Sequence, residues 1–569
     1  MKKILFILFS VTALVGCTLE EKIYSSSTPE TYYQTVPQIQ TGINGCYIPL
    51  RNIYANTTYI QVTDCASDIM YHGTDTRYDA QGNYIPAKAR FGETMWSNCY
   101  VGIMRCNAMY AAIERAPLTD EEKLPLFAEV VIIRAFFYFI LTNNFNGVPF
   151  YTEEVTDANN NRISTLPRTS ASEIRRYCID EIYDYIIVRE ALPMKRTYEV
   201  KDFRIGAAVG LMLAGKMCLW EKQWTKAIEI FGYLEGIYGN GAGVPDGCLD
   251  QYSVSDIKFR NRYTKESIFE IPGEHKDYGL TVSNSLASLV MPMRNSTVVE
   301  GSTDENWGND DDESAVDLSV KTDLYAGVCI PELGTVARTV TPMRPTAYFF
   351  KTLMPLSNNK DKRRSTYSNT KSQTDPVLIE DNGGYLAWGY SGWLKTENRK
   401  TEPRQFHFFS SISATSGTPY LGDKFWCEGM IYTYDSNNVK VFRFAHVVLA
   451  LAEAHLRMSN FDKSLAYVNA VRTRAGLAAL TEDSHGGDEV KLLDLILEEQ
   501  GRELFGEFTR RHDLVRLGLW YERVQLYGGS ELKKNTQFHP CREYYPIPDK
   551  QCVLSGGALT NDEYTKYGL

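Results

Sequence analysis

No C-x-x-C pair occurs among the twelve cysteines of this chain. Leaving out Cys17, the other eleven have no regular spacing, which excludes a disulfide framework; at 569 residues the chain needs none. Cys99, Cys106, Cys178 and Cys218 fall at helical positions and read as buried free thiols. Basic residues are outnumbered by acidic ones. Against 70 Asp and Glu stand 60 Lys and Arg, a formal charge of −10, with no basic cluster of the kind a phosphate backbone demands. This balance argues against nucleic acid as a partner.

Catalytic signatures are missing in the same way. The eight histidines form no H-E-x-x-H and no i, i+4 metal pair. "GYSGW" at Gly389 misses the nucleophile elbow by one residue. "GLMLAGKM" at Gly210 puts Lys216 in P-loop register, but Met217 stands where the magnesium-binding hydroxyl belongs. Leu211 to Ala214 there continue a helix instead of a glycine-rich cradle, so a nucleotide site is not expected. Two carboxylates joined by folding could still hydrolyse a glycosidic bond, which keeps a surface glycoside hydrolase as an alternative.

What is present begins at the N-terminus. MKKILFILFSVTALVG has a charged start, a short apolar run and small residues before Cys17, the pattern of a secretory signal over residues 1–16. Leu14-Val15-Gly16-Cys17 resembles a bacterial lipobox, which implies lipidation at Cys17 and a tether over 17–38. Glu20 and Glu21 resemble an acidic surface-export signal, so the expected location is the outer membrane, lipid-anchored and facing outward. No later stretch reaches membrane-spanning length without charge.

Helical periodicity then dominates 39–238 and 439–569. Thr119 and Glu122 are placed as a capping box ahead of a helix that ends near Gly147. The stretch 168–188 is amphipathic. Gly215, Ala227 and Phe231 match the small, small and aromatic positions of a tetratricopeptide repeat, in which small residues let two helices approach and the aromatic plugs the next gap. Val448, Ala452, His455, Ser464, Val468 and Val471 repeat that layout, and Leu493, Ile496, Leu497, Leu504 and Phe508 form one further stripe. The expected fold is mainly α: helical pairs stacked in a tetratricopeptide-like scaffold, with a few short strands.

Between them, 239–438 is rich in Gly, Ser, Thr, Asn and Pro, with strand-like runs such as Ser267 to Ile271. So long an irregular stretch, carrying Trp307, Trp388, Trp393 and Trp426, reads as an ordered ligand-facing region. Within "DENWGNDDDE", Asp310, Asp311 and Asp312 offer oxygen ligands to calcium but lack the EF-hand spacing, and a solvated acidic loop is the preferred reading. No other cofactor is expected.

Several segments together resemble one family. "LFAEVVIIRAFFYFILTNNFNGVPF" looks like the arginine-alanine helix and N-F-x-G-V-P loop of SusD-like proteins. "RFAHVVLALAEAHLRM" with "AYVNAVRTRAGL", "EEQGRELFGEFTRRHDLVRLG" and "YYPIPDKQ" resemble their later signatures, and "LEEKIYSSSTPETYYQT" their opening. His446, Gln500 and Phe508 depart from the family pattern, which has glutamate, arginine and glycine there. The resemblance implies a SusD/RagB-type nutrient-binding lipoprotein that is not an enzyme. It implies capture of a polysaccharide or oligosaccharide and delivery to a SusC-like TonB-dependent transporter, with peptide capture as the alternative. Arg502, Glu507, Arg510, Asp513 and Arg516 then read as a structural salt-bridge network, and His512 as non-catalytic.

By the same resemblance the ligand face draws on loops near 64–96 and 284–325. A sugar site needs an aromatic platform and charged or amide groups for the hydroxyls. Trp96, Asp68, Arg77, Asn98 and Tyr71 offer this in the first stretch, Trp307 and Tyr325 in the second. Two competing readings stand beside them: Trp96 packing on its own helix, and Asp68 pairing with Arg77 at the surface.

Overall fold

The structure is a computed structural model. It describes residues 29–72 (less 56), 86–88, 90–195, 204–274, 434–528 and 539–569, with short pieces of the stretch between 286 and 425. Thr35 starts the first long helix, α1 (Val36–Tyr54), with Gln38 returning its side chain to the Thr35 N–H at 3.0 Å. Ile39, Ile43, Cys46, Leu50 and Ile53 form its buried stripe, whereas Ile48 falls off that stripe and is 52% exposed. A short α2 (Thr57–Thr63) leads to strand β1 (Met70–His72).

Helices α3 (Arg90–Arg115) and α4 (Asp120–Phe145) form the next pair. The expected capping box opens α4: Thr119 Oγ1 accepts from the Glu122 N–H at 3.3 Å, and Glu122 Oε2 from the Thr119 N–H at 2.9 Å. Among the described helices, α4 alone is long and apolar enough to cross a membrane, but nearly every side chain from Leu126 to Phe145 is buried by other helices. It is the central helix of the core. Gly102 lets α3 approach it, since a Cβ there would meet the Phe137 ring at 2.2 Å.

The stack continues through α5 (Ala171–Tyr183), α6 (Ala207–Trp220) and α7 (Trp224–Tyr238), each packed on its predecessor. The tetratricopeptide spacing is physically what it looked like. A Cβ on Gly215 would lie 2.5 Å from Phe231, so only glycine admits the ring. Helix α7 then packs on α8 (Phe444–Arg457), more than 200 residues later, and α8 on α9 (Phe461–Arg474). Ser464 bonds the Ala452 carbonyl at 2.7 Å across that last pair. The early and late helices form one scaffold around a continuous apolar core.

The last stripe is shorter than expected. Helix α10 (Glu489–Glu503) stops before Leu504, and Gly506 (φ +73°) and Phe508 (φ +64°) turn the chain in left-handed conformations. This explains the family's glycine at 508. Here Phe508 bears a left-handed cost of about 1–2 kcal/mol per residue while its ring packs on Tyr54 and Tyr59. His446, in the family's glutamate position, accepts the Arg443 N–H on Nδ1 at 3.3 Å and so helps start α8. Two short helices follow, α11 (Arg510–Arg516) and α12 (Trp520–Tyr527).

The strands are short antiparallel pairs: β1 with β3 (Met343–Pro345), β4 (Thr366–Ser368) with β5 (Val377–Glu380), and β6 (Tyr390–Gly392) with β7 (Gln405–His407). Strand β2 (Ser267–Ile271) pairs with β8 (Val439–Arg443), which runs straight into α8. Where this pair meets α10 lies a buried ionic seam. Arg443 binds Glu266, Glu503 and Glu507 at 2.8, 2.6 and 2.8 Å, and Arg363 binds Asp361, Glu499 and Glu503 at 2.8, 2.6 and 3.1 Å. Lys424 reaches Glu507 at 2.6 Å. Burial alone would raise the pKa of Glu507, but the Arg443 and Lys424 charges outweigh it and bring it to about 2. Pieces of the irregular middle are thus bolted to the helical stack by charge.

Candidate ligand-binding cleft

Asn44, Tyr47 and Arg51 lie about one helical turn apart along α1, away from its buried stripe. Arg204, just before α6, reaches over to them. Its Nε and Nη2 donate to Glu129 Oε2 at 3.2 and 3.0 Å, and its Nη1 donates to Asn44 Oδ1 at 2.7 Å. Tyr47 donates its hydroxyl to Glu129 and accepts the Ile205 N–H at 2.8 Å. Burial, then the Glu129 charge, push the Tyr47 phenol well above its ordinary range, so it stays a neutral donor. Loss of hydration lowers the pKa of Arg51.

Strand β2 faces this row. Phe269, Ile271 and Pro272 supply an apolar wall, and Ile48 an exposed apolar edge. Glu270 also lines the space, but its carboxylate is engaged by Lys440 Nζ and Asn438 Nδ2, each at 2.9 Å, and by the Tyr263 N–H at 3.0 Å. Between helix and strand opens a cleft of about 410 Å³, within the roughly 300–1,000 Å³ typical of ligand pockets. Its chemistry is hydrogen bonding and charge on one side, C–H contact on the other.

A second cavity, about 20 Å³, is lined by Lys216, Glu507, His512, Asp513 and Arg516 together with aromatic rings. That is room for about one water, not a sugar. The P-loop-like lysine therefore lies inside an unbroken helix beside a water-sized cavity. His512 sits there buried, its pKa lowered to about 3 by burial and then by Arg511, with Nε2 3.2 Å from Asn144 Oδ1. Arg516 binds Glu453 and Asp513, and Arg502 binds Glu498 and Glu499. The expected salt-bridge residues are all paired, though in separate clusters and not in one network. Cys99, Cys106, Cys178 and Cys218 are buried free thiols, as expected.

Two sequence-predicted ligand residues need correction. Trp96 is 3% exposed; helix α3 starts at Arg90, which turns the indole inward, edge-on to Phe145 at 5.1 Å and against Tyr100 at 4.9 Å. It is a packing residue and offers no face to a sugar. Asp68 is wholly buried, with Arg510 Nε and Nη2 at 2.7 and 2.8 Å and Arg523 Nε at 2.8 Å. Burial would raise its pKa, and the two guanidiniums outweigh that and lower it. Its side-chain partners lie more than 440 residues away, and its burial removes it from the surface.

Tyr71 is 8% exposed, on β1 opposite Arg344. Asn98 is half-buried and ties two helices together: its amide donates to the Thr94 carbonyl at 2.9 Å and accepts from Asn52 at 3.2 Å. Arg77, Trp307, Tyr325, the calcium candidates Asp310, Asp311 and Asp312, and Cys17 lie outside the described residues. Among the described residues no group of three His, Cys, Asp or Glu side chains is placed to hold a metal. The cleft residues escaped sequence reasoning because α1 and β2 are some 220 positions apart. A local signal existed: Ile48 breaks the 39-43-46-50-53 stripe and must face outward.

A tetratricopeptide-type helical stack with short strand pairs and an open polar-and-apolar cleft defines a binding scaffold. The chain belongs to the SusD family, whose model matches residues 265–564; a second model, described as "Starch-binding associating with outer membrane", matches 19–192. The chain is 22% identical over 586 residues to SusD-like protein P25 of Formosa agariphila, covering 99% of this chain and 98% of that one. Among solved structures it is similar to surface glycan-binding protein A of Bacteroides thetaiotaomicron, at TM-score 0.63 and 20% identity over 94% of this chain and 100% of that one. The same relative in complex with laminarihexaose gives TM-score 0.62 and 20% identity over 93% and 99%.

Proposed function

We propose that this chain is a cell-surface lipoprotein that captures polysaccharide or oligosaccharide and hands it to a SusC-like TonB-dependent outer-membrane transporter. Lipidation at Cys17 would hold it in the outer membrane, facing outward. The observation that carries the proposal is membership of the SusD family, with fold similarity along nearly the whole chain to a protein solved with laminarihexaose. The architecture agrees with capture. A scaffold closed by core packing and buried ion pairs leaves its helix–strand cleft open, and the mechanism needs binding and release without bond making. Aromatic contacts supply roughly 1 kcal/mol each, so several weak contacts, and not one anchor, would set a micromolar affinity.

The test is a glycan and peptide array probed with soluble protein lacking the first seventeen residues. Binding to glycans is expected; binding to peptides alone would replace the ligand class, and binding to neither would end the capture proposal. Released reducing sugar, abolished by one Asp or Glu substitution, would make the protein a hydrolase instead. In the middle region, Trp307→Ala is expected to weaken glycan binding at unchanged Tm.

A further inference from the structure

The buried carboxylate of Asp68 is linked to the surface through one arginine. Arg523 donates from Nε to Asp68 Oδ2 at 2.8 Å, from Nη1 to Asp494 Oδ1 at 3.0 Å and from Nη2 to the Tyr348 hydroxyl at 3.0 Å. The Arg523 side chain is 9% exposed, whereas that of Asp494, on α10, is 53% exposed. Among the described residues Arg523 is the one group that bonds this carboxylate, and it takes a single oxygen. The other oxygen of Asp494 is left to accept from outside.

Beside Arg523 stand two stacked rings. Tyr348 and Tyr527, the last residue of α12, have centroids 4.1 Å apart and planes 21° from parallel. The guanidinium lies 5.7 Å from the first centroid and 5.4 Å from the second. A group so nearly equidistant from rings this close sits alongside the stack and covers neither outer face. Tyr348 is 9% exposed and Tyr527 36%, so the stack buries its inner ring and turns the outer one to solvent. Burial pushes the Tyr348 phenol up to about 12, which keeps it a neutral partner for Arg523.

We propose that Tyr527 and Asp494 form a subsite for an uncharged pyranose, with the C–H face of the sugar laid on the outer face of Tyr527 and its hydroxyls donated to Asp494. The inference rests on the glycan-capture proposal and adds where a ring binds and which charge class is accepted. A flat ring backed by a second ring is a rigid platform, and hydroxyls bond more strongly to an ionised acceptor than to a neutral one. The charge presented to solvent here is the carboxylate, while the guanidinium that balances it lies beneath. An anionic sugar would meet a like charge.

The experiment is calorimetric titration of the soluble protein with laminarihexaose, maltohexaose, cellohexaose and xylohexaose, and with oligogalacturonate as the anionic counterpart. At least one neutral chain is expected to bind, more tightly than oligogalacturonate and with little response to added salt. Tyr527→Leu keeps an apolar side chain but removes the flat ring, and should weaken that binding about five- to tenfold, while Tyr527→Phe should preserve it. Asp494→Ala should weaken it about tenfold with Tm little changed, and decides the matter if Tyr527→Leu lowers the Tm. Neutral binding untouched by either substitution in a folded protein, or tighter binding of oligogalacturonate, overturns this inference and leaves glycan capture standing. Binding of no glycan overturns both.

Discussion

Arginine does opposite things in two parts of this molecule. In the seam between β8 and α10, Arg443 and Arg363 are fully buried and surrounded by acids: Glu266, Glu499, Glu503 and Glu507. In the α1–β2 cleft, Arg51 and Arg204 line open space beside an apolar wall. A guanidinium taken fully out of water is matched there by several acids, whereas Arg204 at the cleft edge is held by one, Glu129. The seam therefore serves the fold, while the cleft leaves polar side chains beside open space. Substitutions should separate the two.

The largest effect is expected in the seam. Arg443→Ala takes the shared guanidinium from three buried carboxylates, leaving Glu266 and Glu503 to Arg474 and Glu507 to Lys424, and should cost about 3–5 kcal/mol in urea denaturation. Trp96→Ala should come close to it, about 3–5 kcal/mol for emptying a buried indole site; a loss of ligand affinity without that loss of stability would restore Trp96 to the ligand face. Gly215→Val forces a side chain onto the Phe231 ring and should cost about 1–3 kcal/mol by overpacking, measured as a lower Tm.

A pH-dependent effect should appear at Asp64. Burial pushes this carboxyl from 3.8 up to about 7, with Thr63 and the Phe508 N–H only partly offsetting it. The unfolded chain then releases this proton at lower pH than the folded one, so the group withdraws stability as pH rises from about 4 to about 7. Asp64→Asn should become progressively more stable than the parent across that window, by urea titrations at pH 4.5 and 8; a constant difference would place Asp64 in a more polar setting. The smallest change is Ile48→Ser on the cleft edge, expected to move stability by no more than about 0.5 kcal/mol. A large drop there would make the cleft part of the core.

How much was legible can be judged residue by residue. The Thr119–Glu122 box, the Gly215–Ala227–Phe231 spacing and the strand Ser267–Ile271 each express a rule acting over a few positions, and each stands in the structure. The joining of early and late helices was also readable, because unburied repeat faces must find one another. Trp96 was ambiguous in sequence, since an indole near a helix start suits either a ligand or a core. Asp68 looked like a surface acid because nothing local reveals Arg510 and Arg523.

By itself, then, the chain's order of residues determined the helices, their pairing mode and the family to which they belong, since periodicity, caps and small-residue contacts are local in the sequence. Tertiary structure alone decided which acids are buried with which arginines and where an open cleft remains. Those depend on groups hundreds of positions apart meeting in a medium where charge must be matched, and a linear pattern does not encode that distance.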